Sequence, residues 1–517
     1  MMPAPSPRLR AVAWTLPLAL VIAGCATVKP STATGGKAAS PRPGDLVIAS
    51  PSASQGWDGD KCVSDLQTNG MVYDSLLRIK TPAGDGVAPG LAKSFSYDAT
   101  KHTYTFEMRP DAKFSSGAPV TAADVVWSID QWRKGPVSGS YYATIKSERA
   151  VSTSVLEVQM KQPDTFLPNL LTWCTSTIYP KDYAGQTAAA FFKKPVGAGA
   201  FEVASFTDPT GPSEVIALVP NPHFYGWPGG KPTLRTVTVK TVTDPSQRAI
   251  QFKSGNIDII QGVDFATEQA IGKRAVVRAV PDTIASILVN TKRGPLRDPN
   301  LREAISKAID RKAMASALSD GSEPATGMLP TNVPGATPPT TPYSYDLAGA
   351  KAALAKSSSA GGVTLTYLYD ASDKALDTSA QILVAQLAKI NVRVKLVTTD
   401  GNTVTSREST GDFELGTSTA SAISPTIFDP VSYIQAAPYP YAGASMTVID
   451  KAFLAGTAAT DPSAQQAQAR AIQDDGLRQN VLIGMYNSTA SWALQSWVKG
   501  FTPLQYGFFY ADPVSVG

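Results

Sequence analysis

The sequence is poor in histidine, charge and cysteine. Two histidines, His102 and His223, occur in 517 residues. That argues against a histidine-rich metal site and against most histidine-based catalysis. Charged residues make up 17% of the chain, below the usual ~25%. The 46 basic and 42 acidic residues nearly cancel, so nothing electrostatic points to nucleic acid or to a polybasic membrane patch. No G-x-S-x-G nucleophile elbow and no H-E-x-x-H zinc motif is found, which removes two common hydrolase signatures. A glycosidase carboxylate pair is not removed by counting, because acids are plentiful. There is no internal repeat and no run of heptads. What is present is a 43% hydrophobic chain with 40 Gly and 40 Pro, which reads as globular and rich in turns. Its length exceeds the ~250–300 residues at which one hydrophobic core stops growing. More than one lobe is expected.

The N-terminus reads as an export address. Arg8 and Arg10 precede AVAWTLPLALVIAG (11–24), and no charge follows until Lys29. The run is shorter than the ~20 apolar residues of a membrane span but suits a signal-peptide core. It ends Ile22-Ala23-Gly24-Cys25, which resembles the bacterial lipobox. That resemblance implies cleavage of residues 1–24 and acylation of Cys25; a plain signal peptide with a chance cysteine is the alternative. Residues 25–44 are small, polar and Pro/Gly-rich, as a flexible tether would be. Position 26 is Ala, not the Asp that commonly retains Gram-negative lipoproteins at the inner membrane. The expected location is the extracytoplasmic face of the membrane, on a Gram-positive surface or in a periplasm. In an exported protein the two remaining cysteines, Cys62 and Cys174, are expected to pair; two buried thiols are the alternative.

Strand and helix signals alternate. Polar and apolar residues take turns over Thr103–Met108, Thr236–Val239 and Val392–Leu396, which predicts strands. Thr121 with Asp124 forms a capping-box pattern. Asp298 followed by Pro299 predicts a helix start, and Leu301, Ala304, Ile305, Ala308 and Ile309 fall on one face of that helix. Ile382, Leu383, Leu387 and Ile390 mark another helix near 378–390. The proline-rich stretch 330–345 and the Ser/Gly-rich stretch 355–362 read as loops. Gly117 and Gly197 are expected at tight turns with positive φ.

Several blocks, taken in order, carry a resemblance. They are MVYDSLLRI (71–79) with GVAPGLAKSFSYDATKHTYTFEMRPDAKFSSGAPVTAADVVWSID (86–130), PVGAGAFEVASF (195–206) with VPNPHFYGWPGGKP (219–232), QRAIQFKSGNIDII (247–260), and LVNTKRGPLRDPNLREAISKAIDRKAM (288–314), followed by Val498-Lys499-Gly500-Phe501. Together they resemble the extracytoplasmic solute-binding proteins of ABC importers, peptide/nickel family (family 5), over about residues 45–512. The resemblance implies an α/β fold of periplasmic-binding-protein type II, in its large (cluster C) version, with two lobes joined by crossing hinge strands. Transferred here, lobe one is 45–284 plus 484–517 and lobe two is 285–483. Most matched residues have plain structural readings: Arg302 and Asp310 as polar contacts, His102 in a hairpin and His223 before an aromatic turn.

The implied function is capture of oligopeptides or peptide-like solutes in an interlobe cleft, with delivery to permease subunits and their ATPases. No cofactor, catalysis or nucleic-acid partner is expected, and the chain is expected to be a monomer. The alternatives are the same role for an oligosaccharide, metal chelate or other metabolite, and, remotely, a secreted hydrolase. Candidate ligand residues lie on loops after strands: Ser54, Gln55, Trp57 and Asp58; Trp173; Thr283 and Ser286 on a crossing strand; Tyr369, Asp370 and Ser372 in lobe two. Peptide binders of the family carry an acid for the α-ammonium after a Trp. Aligned on Asp412, this chain has Ser418 at the Trp and Ser421 at the acid. A buried unpaired ammonium is expensive, so a peptide amine needs another acid, Asp370 or Asp429, the latter by a shifted register at Phe428-Asp429-Pro430.

Overall fold

Two main sheets and a smaller third one organise the chain in this computed structural model. It describes residues 41–517 except 55, 65, 81–85, 137, 208–212, 227–229, 280, 422–425, 432–446 and 505–506. Cys25, the signal peptide, most of the tether and Gln55 therefore lie outside the described residues. One sheet has seven strands, in the spatial order 276–278, 491–494, 259–261, 45–50, 236–241, 215–220 and 201–206. The second has six, in the order 323–324, 482–488, 283–289, 415–421, 363–369 and 392–398. A four-stranded antiparallel sheet, which is the smaller third unit, orders 92–98, 103–108, 155–160 and 145–150, so that 103–108 pairs with 155–160 and not with the next strand in sequence.

Strand Asp45–Ser50 is central, running parallel to both Thr236–Thr241 and Ile259–Gln261. Leu46, Val47, Ile48 and Ala49 are all buried, as expected of a strand covered on both faces. Hydrophobic cores gather separately around the two sheets. Leu46, Ile48, Trp57 and Trp492 belong to one, while Ile287, Leu301, Leu365 and Leu383 belong to another.

The chain passes between the sheets twice. Val276–Arg278 lies in the first sheet and Thr283–Val289 in the second; Leu482–Ser488 and Ser491–Leu494 make the return. The two passages run side by side. Arg278 pairs with Ser491 on one flank and Thr283 with Ser488 on the other. Between them the Ala279 N–H donates to the Ala490 carbonyl at 2.9 Å.

Local signals mostly fold as read. Asp298 caps helix Pro299–Ala308 through the Asn300 N–H, and its other oxygen accepts from the Ser358 N–H at 2.6 Å. Helix Lys374–Ala388 begins at Asp373, earlier than the apolar pattern alone suggested. Asp124 accepts from the Thr121 N–H at 2.8 Å and also from the Lys181 N–H at 2.8 Å, so it joins a distant segment to the helix start. Arg302 donates to the carbonyls of Leu296, Arg297 and Gln479, and Asp310 caps the helix that follows.

Gly117 has φ +86°, as expected. Gly197 does not have positive φ, and its constraint is a different one. A Cβ there would lie 2.0 Å from the Val72 carbonyl oxygen, so only glycine lets the two backbones approach.

One buried ionic cluster fastens lobe-one elements far apart in sequence. Arg78 donates from Nε and Nη2 to the two oxygens of Asp74, at 3.0 Å each, and stands 3.6 Å from Asp512. Phe224 and Tyr510 lie against its guanidinium at 5.4 and 5.0 Å, and the Tyr225 hydroxyl donates to Asp74 at 2.7 Å. Burial pushes the Asp512 carboxyl upward. Removing the cation that pairs with Asp74 and Asp512 strands two buried acids, so Arg78→Met is expected to destabilise by about 3–5 kcal/mol. Urea unfolding measures this, and an unchanged midpoint would contradict the assignment.

Candidate functional site

The loop that follows strand Asp45–Ser50 is fastened at several points. The Ser54 N–H and hydroxyl donate to Glu214 at 2.8 and 2.6 Å. The Tyr73 hydroxyl donates to the Trp57 carbonyl at 2.9 Å, and the Gly59 N–H donates to the Tyr179 oxygen at 2.7 Å. Asp60 accepts from both the backbone and the hydroxyl of Ser138, at 2.7 and 2.6 Å. Cys62 is joined to Cys174 by a disulfide, with Cα atoms 6.0 Å apart. The first candidate stretch is thus a rigid loop, not a swinging one.

Its members divide by role. Ser54 is used in holding the loop. The Trp57 ring is buried in the core, edge-on to Phe206 at 5.9 Å. Asp58 is half-buried. Across the disulfide, Trp173 is buried and meets Tyr141 edge-on at 4.9 Å. It lines a narrow cavity of about 50 Å³ with Asn69, Tyr73, Arg78, Phe508 and Tyr510. The indole nitrogens of Trp57 and Trp173 have no hydrogen-bond partner among the described residues.

Other contacts bring parts of the two sheet systems together. The Thr165 N–H and hydroxyl donate to the Thr457 carbonyl at 2.6 and 2.7 Å. Phe453 lies 6.3 Å from Phe166 and 6.1 Å from Phe428. The Tyr142 hydroxyl shares a 3.0 Å hydrogen bond with Thr175. Burial raises the Tyr142 phenol well above its ordinary range, and the charge of Asp429 adds to the shift. Asp429 is buried.

On the crossing strands, Thr283 and Ser421 share a 2.8 Å hydrogen bond, and Ser286 stands opposite Ser418. Ser421 is thus engaged with the crossing strand Thr283–Val289. Tyr369 is a core residue: its hydroxyl donates to Asp377 at 2.8 Å and its ring stacks on Tyr367 at 5.4 Å. Asp370 accepts from the Ser372 N–H at 2.8 Å, closing a turn within its own lobe.

Sequence reasoning did not single out Glu214, Asp60, Ser138, Tyr142 or Tyr179. Glu214 lies 160 residues from Ser54 and Ser138 lies 78 from Asp60, so no local pattern could pair them. No cluster of three or more His, Cys, Asp or Glu among the described residues is placed to hold a metal ion.

Two α/β sheet systems linked by a double crossing, with candidate polar and aromatic groups on loops between them, define a two-lobed solute-binding fold. The model of bacterial extracellular solute-binding proteins, family 5 Middle, matches residues 86–443, well over half the chain, and the chain belongs to that family of binding proteins. It is 28% identical over 360 residues to the "Probable D,D-dipeptide-binding periplasmic protein DdpA" of Escherichia coli (strain K12), covering 66% of this chain and 67% of that one. The structure of NikA from Brucella suis in complex with Fe(III)-EDTA superposes with a TM-score of 0.80 at 23% identity, over 92% of this chain and 100% of that one. DppA from Helicobacter pylori, in complex with peptide STSA, gives a TM-score of 0.77 at 21% identity, over 92% and 98%. At these identities the structural matches establish the fold, α/β with two lobes of periplasmic-binding-protein type II.

Two predictions concern the frame of this site. The disulfide closes a sequence separation of 112, and opening so long a loop is expected to cost up to about 4–5 kcal/mol in the chain-entropy model. A Cys62→Ala/Cys174→Ala double variant should melt lower and be cut faster by protease in the 51–64 loop. Equal melting and cleavage would remove the fastening role.

Glu408 sits beside strand Leu415–Ser421, accepting from the Thr417 N–H at 2.8 Å. Burial pushes its carboxyl up to about 7. Between the ordinary carboxylate range and that value, the folded chain holds a proton that the unfolded chain has released. Stability from this group is therefore present at acid pH and falls as pH rises towards 7. Glu408→Gln should flatten that dependence and raise stability at pH 8 by on the order of 2–3 kcal/mol. Parallel wild-type and variant curves from pH 5 to 8 would contradict it.

Proposed function

We propose that this chain is the lipid-anchored receptor of an ABC importer, capturing peptide-like solutes between two lobes. Cys25 carries the anchor, residues 25–44 form the tether, and the lobes are 45–284 plus 484–517 and 285–483, the crossings between the two sheets falling between Arg278 and Thr283 and between Ser488 and Ser491. The observation that carries the reading is the paired double crossing. It lets two sheet systems move as bodies about a short antiparallel ribbon while ligand contacts decide which arrangement is populated. Contacts such as Thr165 with Thr457 and Phe166 with Phe453 supply the closed state's own interactions. A solute touching both lobes adds to them, and the permease receives that closed form.

The peptide reading is supported by what the relatives are named for, a D,D-dipeptide and the peptide STSA. NikA seen with Fe(III)-EDTA and the "Nickel-binding periplasmic protein" of Escherichia coli (strain K12) show how widely ligand varies among the relatives. The serine at 421, engaged with Thr283, favours a second reading: a blocked peptide or another solute without an ammonium at the family's usual place. On either reading the groups facing the solute are drawn from Asp58, Trp173, Thr283, Ser286, Phe428 and Asp429, while the Trp57 ring anchors its loop in the core. Ser54, Tyr369, Asp370 and Ser372 support the loops that present them.

Native mass spectrometry of protein purified without denaturation, before and after exposure to a mixed tripeptide and tetrapeptide pool, tests this. The expected result is a bound mass of a few hundred daltons that peptides displace, with a higher melting temperature. A retained sugar or chelate that peptides cannot displace would instead favour the second reading.

A further inference from the structure

The fastened loop contains one acid that takes no part in fastening it. Glu214 and Asp60 spend their carboxylates on Ser54 and Ser138. Asp58, two residues before Asp60, accepts among the described residues a local bond from the Asp60 N–H at 3.1 Å. It is half-buried, and no cation of the described residues forms an ion pair with it.

Aromatic rings frame this acid from the backbone outward. The residue before Asp58 is held by Tyr73 and the residue after it by Tyr179. Those two rings meet edge-on at 5.4 Å, and Tyr183 lies 5.6 Å from Tyr179. Three consecutive non-glycine residues, Asp182, Tyr183 and Ala184, have φ of 52°, 50° and 55°, a conformation that L-residues adopt only under constraint. The turn holds the Tyr183 ring against Trp127 at 4.6 Å. The Tyr183 hydroxyl has no hydrogen-bond partner among the described residues. Burial raises all three phenols, and the negative charge of Asp58 contributes to each. A half-buried carboxylate with no ion-pair partner among the described residues, on a loop whose flanking backbone is held by two buried tyrosines, is suited to an ammonium group, because the opposite charges pair. Gly59 packs against the Cys174 carbonyl and Thr177, placing the loop beside residues 174–177, where Thr175 meets Tyr142.

We propose that Asp58, framed by Tyr73, Tyr179 and Tyr183, is the counter-ion for a positively charged amine of the captured solute. This rests on the receptor reading above and moves the amine-binding acid from the 421 position to the opposite lobe. A peptide N-terminus and a polyamine share the required chemistry.

Calorimetric titration of the purified receptor with trialanine, N-acetyl-trialanine, spermidine and maltotriose separates the cases. Wild type is expected to bind trialanine or spermidine, and Asp58→Asn to bind it at least about tenfold more weakly. Asp58→Glu should restore part of the affinity, with unchanged melting of both unliganded variants. N-acetyl-trialanine should bind wild type and Asp58→Asn alike, because it lacks the amine. Amine binding that is equal in wild type and Asp58→Asn overturns the inference. Binding of maltotriose alone overturns it while the receptor reading stands. No binding of any probe counts against both.

Discussion

The rest of the structure depends on the short antiparallel ribbon formed where the chain leaves one sheet and returns. Val276–Arg278 pairs with Ser491–Leu494 in the first sheet, and Thr283–Val289 pairs with Leu482–Ser488 in the second. Few residues lie between these pairings, and the Ala279–Ala490 hydrogen bond bridges them. Two passages side by side resist sliding and twisting more than bending, so opening and closing is the motion they leave easiest. Polar hydroxyls, Thr283 and Ser421, stand at the edge of this ribbon. Ligand-facing groups can therefore be built on either side without disturbing the cores.

On lobe one the site's frame is rigid for reasons that reinforce one another. A disulfide, two carboxylates and two tyrosines tie the loop after the first strand to four separate segments. Loops held this way lose little conformational entropy on binding, because it was lost on folding. The buried Arg78 cluster does similar work beneath them, joining the helix end at Asp74 to the C-terminal Asp512.

Much of the local architecture was legible in the sequence, because it is written in neighbouring residues. Asp298 with Pro299 and the spacing of Leu301, Ala304, Ile305 and Ala308 specify a capped, one-sided helix. Alternation over Thr103–Met108 specifies a strand. The family blocks carried the fold. What was not legible depends on partners distant in the chain. Gly197 was read as a turn residue, but its need is close approach to Val72, which no local pattern encodes. Tyr369 ends its strand as a cleft residue would, yet the spacing to Asp377 turns its hydroxyl inward onto the following helix. The roles of Asp58 and Asp60 differ although they are two residues apart, because only Asp60 finds Ser138.

Ser421 pairs with Thr283 at the crossing, and on the proposal above the acid for a solute amine comes from lobe one. Binding specificity in such receptors is thus a property of individual loops on a shared frame. Whether those loops act as a closing clamp is tested most directly by small-angle X-ray scattering of the receptor, free and saturated with its identified solute. The account predicts contraction on saturation, with a smaller radius of gyration and loss of the longest interatomic distances. Identical scattering curves with the solute demonstrably bound would contradict it.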